Sequence, residues 1–96
     1  MQKLDDKTAW VSRWGDYSLK VWKGPTGWSG TIRDVSESHR CIVATWEDCV
    51  FPDAPTAVST MANFLVAERG CQVFVDGARR SLADFLVFNP APEVVS

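Results

Sequence analysis

Four side chains in this sequence have the chemistry of a reactive or metal-binding site: His39, Cys41, Cys49 and Cys71. His39 and Cys41 stand two apart, and on a strand such neighbours project to the same face, so both could reach one ion. The other spacings do not support zinc. There is no pair of cysteines two residues apart, and a whole predicted helix separates Cys49 from Cys71. A nucleophilic pair would use His39 as base for Cys49 or Cys71. Cys49 is the better placed, just ahead of the predicted helix, since a helix N-terminus lowers a thiol pKa. His39 falls in a predicted turn, however, with no third group to orient it. Thiols without such activation behave as small hydrophobes.

The carboxylates come as adjacent pairs, Asp5-Asp6 and Glu47-Asp48. Neighbours on an extended chain point to opposite faces, so adjacency makes no acid-base dyad. Gly24, Gly27 and Gly30 sit in a predicted hairpin and lack the lysine of a phosphate-binding loop. The expectation is a non-enzyme with no catalytic residue, no metal and no cofactor.

What remains is aromatic and basic. The stretch KVWKGPTGWSGTI, residues 20–32, sets two tryptophans on either side of a Gly-Pro-Thr-Gly turn. Between Tyr17 and Arg33 the chain carries Lys20, Lys23 and Arg33 and no acid, while Asp5, Asp6, Asp16, Asp34, Glu47 and Asp48 lie outside it. This is a basic island on a chain of net charge −2. Trp10, Trp14, Trp28 and Trp46 suit a small core, since large aromatics bury much area per residue. Trp22 differs, because alternation places it with Ser18, Lys20, Ser29, Thr31 and Arg33. Tryptophan flanked by arginine is the composition of an interface hot spot.

The elements that must position these residues follow from periodicity. YSLKVWK alternates Tyr17, Leu19 and Val21 on one face with Ser18, Lys20 and Trp22 on the other, the pattern of a half-buried strand. Gly24-Pro25-Thr26-Gly27 suits a four-residue hairpin loop. Pairing Lys23 with Trp28 sets Leu19 opposite Ile32 and Val21 opposite Gly30. A turn at residues 36–39 leads to a third strand over about residues 40–46, and an earlier strand is predicted near Thr8–Trp14. Asp53 as N-cap, Pro55 in the first turn and Gly70 as the stop frame a helix with Ala57, Val58, Met61, Phe64 and Leu65 along one stripe. CQVFV reads as a strand closed by an Asp76-Gly77 turn. Ser81 and Asp84 form a capping-box pattern that favours a short helix bearing Leu82, Phe85 and Leu86 over a strand paired back across that turn.

The predicted fold is α+β: a small antiparallel sheet of three to five strands, one main helix packed on one face and a short C-terminal helix. Over about residues 17–75 the order resembles that of the small antitoxin modules of the HicB type, which also run three strands, helix, strand. The likeness is of topology. The acidic, proline- and glycine-bearing segment expected after the third strand is absent from CIVATWEDCV, and that family's function is not carried over.

Ninety-six residues suit one small domain, read here as residues 1–88 with an extended tail over 89–96. A hydrophobic content of 46% and a charged content of 23% exclude disorder of the whole chain. Three cysteines leave one unpaired in any disulfide scheme, and MQKLDDKTAW lacks the apolar core of a signal peptide, so a reducing cytoplasm is expected. No apolar run reaches the roughly 20 residues of a membrane span.

The function these features predict is protein binding through the sheet face. Lys20, Trp22, Lys23, Trp28, Thr31 and Arg33 are the candidate contacts, and the partner is another protein, such as a larger complex that is inhibited, or a second copy in a homodimer. Single-stranded nucleic acid is the alternative, with Trp22 and Trp28 stacking bases and Lys20, Lys23 and Arg33 meeting phosphate. A small Cys/His metal protein or enzyme is the third.

Overall fold

The alternation in Tyr17–Lys23 fixes a strand, and its neighbours build outward from it. A computed structural model describes residues 3–36 and 41–92. Strand β1 (Trp10–Trp14) turns at Gly15-Asp16 into β2 (Tyr17–Lys23), which turns at residues 24–27 into β3 (Trp28–Asp34). Gly15 takes φ 57°, the glycine-first geometry of a two-residue hairpin turn. The Gly24 amide donates to the Gly27 carbonyl at 2.7 Å and closes the second loop. The register is the expected one, with Lys23 opposite Trp28, Val21 opposite Gly30 and Leu19 opposite Ile32.

β4 (Cys41–Phe51) runs further than the sequence suggests, through Glu47-Asp48 to the helix. Its pairing with β3 slips between Trp28 and Gly30, where Asp48 and Cys49 take φ of 61° and 55°. Two consecutive left-handed residues other than glycine make a kink that periodicity does not encode. The turn expected at 36–39 lies, beyond Ser36, outside the described residues, as does Arg40.

Helix α1 (Ala54–Arg69) starts where Asp53 Oδ1 accepts from the Thr56 amide at 2.8 Å and stops at Gly70 with φ 66°. It packs on β2, β3 and β4. Its buried stripe is Ala57, Val58, Met61, Ala62 and Leu65. Phe64, expected in that stripe, lies at its edge and meets Trp46 edge-on, with ring centroids 5.6 Å apart. Leu19, Val21 and Ile32 of the sheet and Met61 and Leu65 of the helix are 0% exposed. Each side chain buried in this way contributes about 1.5–3 kcal/mol before entropy is counted.

The chain beyond the helix departs from expectation in two ways. The strand β5 (Val73–Val75) and β6 (Ala78–Arg80) form a separate hairpin across Asp76-Gly77, both at positive φ. The short C-terminal helix follows as one 3-10 turn, Leu82–Asp84, without a side-chain cap from Ser81. Leu82 and Leu86 are buried there, whereas Phe85 is 40% exposed. In place of the extended tail expected from residue 89, β7 (Asn89–Pro90) pairs with β1 and makes the main sheet five-stranded, in the order β4-β3-β2-β1-β7.

One core residue is out of keeping. Ser12 sits opposite Leu19, 5% exposed, and its hydroxyl has no hydrogen-bond partner among the described residues. A buried hydroxyl left unsatisfied costs about 1–3 kcal/mol. Ser12→Ala is therefore expected to stabilise the fold by about 1 kcal/mol, raising the midpoint of a calorimetric melt by roughly 4–8 °C. A lower midpoint would mean that the hydroxyl is satisfied in solution.

Candidate functional site

Because α1 covers only one face of the sheet, strand alternation leaves a row of side chains on the other. Three cross-strand rows build that open face. Arg13, Ser18 and Arg33 form the first, Val11, Lys20, Thr31 and Thr45 the second, and Trp22 with Ser29 the third. Between them lies a shallow concavity of about 340 Å³ lined by Val11, Ser18, Lys20, Trp22, Thr31 and Arg33. Ile42, opposite Arg33 on β4, adds apolar surface at the rim and is 58% exposed.

The expected contact residues separate into two groups. Lys20 and Arg33 are exposed on this face. Trp22 shares it and is half-buried, with the Lys20 ammonium 5.9 Å from its ring centroid. That geometry is a cation–π contact, which settles the lysine over the indole. Thr31 is 9% exposed and its hydroxyl lies 3.2 Å from that of Thr45, so it forms the floor of the concavity.

Lys23 and Trp28 do not belong to the face. They pair with each other on the helix side of the sheet, where Trp28 is 5% exposed within the core. Lys23 lines a different hollow of about 520 Å³, beside the carboxylates of Asp5, Asp6 and Asp53. Its ammonium donates to the Gly24 carbonyl at 3.3 Å. The correction follows from register: residues 23 and 28 close the hairpin, and odd positions of β2 all face the helix.

Arg13 and Val11 are contributions that sequence reasoning missed. The signal was present in WVSRW, where Trp10, Ser12 and Trp14 alternate with Val11 and Arg13, followed by Gly15. Arg13 Nε donates to the Gly15 carbonyl at 2.9 Å, which anchors the side chain beside the turn.

The thiols have separate environments. Cys49 sits where the kink of β4 folds over the 24–27 loop. Its amide donates to Ser29 Oγ at 3.1 Å. A hydrogen bond from the Thr26 amide, joined by those from the Thr26 and Ser29 hydroxyls and the Gly27 amide, holds its thiol below the ordinary value against the opposing push of burial. Burial pushes the Cys71 thiol up, only partly offset by Arg69. In a pH series of iodoacetamide labelling followed by peptide mass spectrometry, Cys49 is expected to reach its half-maximal rate at lower pH than Cys71. The reverse order would mean that the loop amides do not reach the sulfur.

No three His, Cys, Asp or Glu side chains converge as metal ligands among the described residues. His39, on which the Cys-His pairing and the metal set both depended, lies outside them. No helix among the described residues is long and apolar enough to cross a membrane. Compared with protein-family models, with curated proteins and with solved structures, the chain matches none.

Proposed function

We propose that this protein is a non-enzymatic interaction module that binds another protein through the open sheet face. The observation that carries this is the one-sided sheet. One face is sealed by α1, while the other gathers a half-buried tryptophan, an exposed isoleucine and cations that form no ion pair with a described residue around a concavity. Protein interfaces are enriched in tryptophan and arginine, with the aromatic as anchor and charges fixing orientation. Inhibition of a larger assembly fits such a module, since a small domain with one binding face can block a surface without chemistry of its own.

Affinity capture from native lysate tests it, with wild type, Trp22→Ala and Phe74→Ala in parallel and with nuclease added. Phe74 is 60% exposed on the separate hairpin and controls for general stickiness. A protein retained by wild type and Phe74→Ala, indifferent to nuclease and lost with Trp22→Ala, is expected. Equal retention by both variants would remove the case for the face.

A second reading, self-association, has its own observation. β4 is the long edge of the main sheet, and Cys41–Trp46 within it contains neither charge nor proline. Edges of that kind pair readily with another strand unless blunted. Sedimentation of wild type against Ile42→Lys separates the cases, because a dimer built on this edge dissociates when a lysine is placed there.

A further inference from the structure

The rows that hold Arg13, Lys20 and Arg33 carry charge of one sign, although the chain as a whole is acidic. Glu47, on the same side by alternation, lies beyond Thr45 at the β4 edge and is paired with none of them. Arg13 lies opposite Ser18, Lys20 lies between Val11 and Thr31, and Arg33 lies between Ser18 and Ile42. No carboxylate is paired across from any of the three, and none of them forms an ion pair with a described residue. Arg13 and Arg33 are exposed and flank Ser18, two strand spacings apart, which is roughly 10 Å. Arg13 is anchored to the Gly15 carbonyl and Lys20 rests over Trp22, but neither they nor Arg33 meets a carboxylate among the described residues. Such cations favour a ligand that brings its own carboxylates.

Two classes of polyanion could supply that charge, and the aromatic geometry separates them. A single-stranded nucleic acid needs aromatic faces open for stacking. Trp28 is in the core, and the ring of Trp22 is half-buried with the Lys20 ammonium over it. Among the described residues of this face, no aromatic ring stands fully exposed for stacking. Val11, Trp22 and Ile42 instead offer apolar contacts beside the cations, as suits side chains of mixed character.

We infer that the open face takes an acidic polypeptide segment, with carboxylates spaced about 10 Å apart received by Arg13 and Arg33 and an apolar side chain seated between Val11 and Trp22. This rests on the open-face reading and specifies its partner. Guanidinium groups hold carboxylates bidentately, so exchange of arginine for a neutral residue removes orientation as well as attraction.

The probe is a short fluorescein-labelled peptide with glutamate at every third position separated by proline and valine, since a polyproline II segment returns to the same side every three residues, about 9 Å further on. Its glutamine counterpart and an oligothymidylate of equal length are compared by fluorescence anisotropy. The glutamate peptide is expected to bind wild type, and Arg13→Ser/Arg33→Ser to weaken it at least about tenfold. Arg33→Ser alone should fall between, which guards against misfolding of the double variant. Arg79→Ser/Arg80→Ser, the same change of net charge on the separate hairpin, is expected to leave affinity unchanged. Equal weakening by the hairpin variant, equal binding of the glutamine peptide, or tighter binding of the oligothymidylate would each overturn the inference. Absence of glutamate-peptide binding would overturn it too, while a protein captured in a Trp22-dependent manner would leave the broader reading standing.

Discussion

Gly27→Ala is expected to destabilise the protein by about 3 kcal/mol or more. A Cβ at this position would lie 2.5 Å from the carbonyl oxygen of Phe51 and 2.7 Å from that of Cys49. Both are backbone atoms at the end of β4, held by the pairing of Trp28 with Phe51 and by the start of α1 three residues later. Neither can swing aside as a side chain would. Accommodation requires the β2–β3 loop to part from the kink in β4, which disturbs the Gly24–Gly27 bond and the Ser29 contact to the Cys49 amide together. For a domain of this size the loss corresponds to a melting point lower by roughly 12–24 °C.

Gly24 supplies the contrast. Its added Cβ would meet Cys49 Sγ, a side-chain atom with a rotamer to escape into. Gly24→Ala should therefore be milder and largely relieved by Cys49→Ala, whereas Gly27→Ala should not be rescued by that second change. Urea denaturation of the two glycine variants, each with and without Cys49→Ala, distinguishes them. Equal rescue of both would mean that the sulfur, not the β4 backbone, sets the closeness of the corner.

How far the fold was legible depended on whether its determinants were local. The register of β2 with β3 was, because alternation from Tyr17 to Trp22 and a four-residue loop leave one pairing that keeps Leu19, Val21 and Ile32 together. The start of α1 was legible for the same reason, since Asp53 and Pro55 act within one turn. Other features were set by contacts distant in sequence. β4 continues past Trp46 where the Cys49 amide donates to Ser29, twenty residues away in the chain, and Phe51 pairs with Trp28. Asn89-Pro90 reads as a tail, since proline has no amide for a ladder. At the outer edge of β1 that amide is not needed, and the Ala91 amide closes on the Ala9 carbonyl at 2.8 Å.

The candidate face was legible in the same measure. Lys20, Trp22 and Arg33 follow from hairpin parity alone. Arg13 and Val11 required knowing that β1 joins the sheet, and the charge of Lys23 looked like part of a basic island until the sheet placed it on the other side, beside Asp5, Asp6 and Asp53. Charge counted along the chain mixes the two faces of a strand. Charge counted by parity does not.

Met61→Ala should lower stability by about 2–5 kcal/mol, the usual cost of truncating a fully buried methionine. Its partner in the sheet makes the case specific. An added Cβ on Gly30 would collide with Met61 Sδ, so the thioether occupies the space that glycine leaves open in the middle of β3. Gly30→Ala alone overfills that space, with the Lys20 carbonyl 3.5 Å away on the other side, and should destabilise by about 1–3 kcal/mol.

The two changes should not add. With Met61 shortened to alanine, the methyl of Gly30→Ala enters the cavity instead of a filled site, and a residue with a side chain serves a strand interior better than glycine. The double variant is expected to be no less stable than Met61→Ala alone, a coupling of about 1–3 kcal/mol in a double-mutant cycle read by urea denaturation. Simple additivity would mean that Met61 has room to turn away from β3. In that event the helix would be held on the sheet by Val58 and Leu65, with the methionine a filler rather than a key. The open face depends on this contact indirectly, because α1 must stay seated on the strands for Arg13, Lys20, Trp22 and Arg33 to keep their common plane.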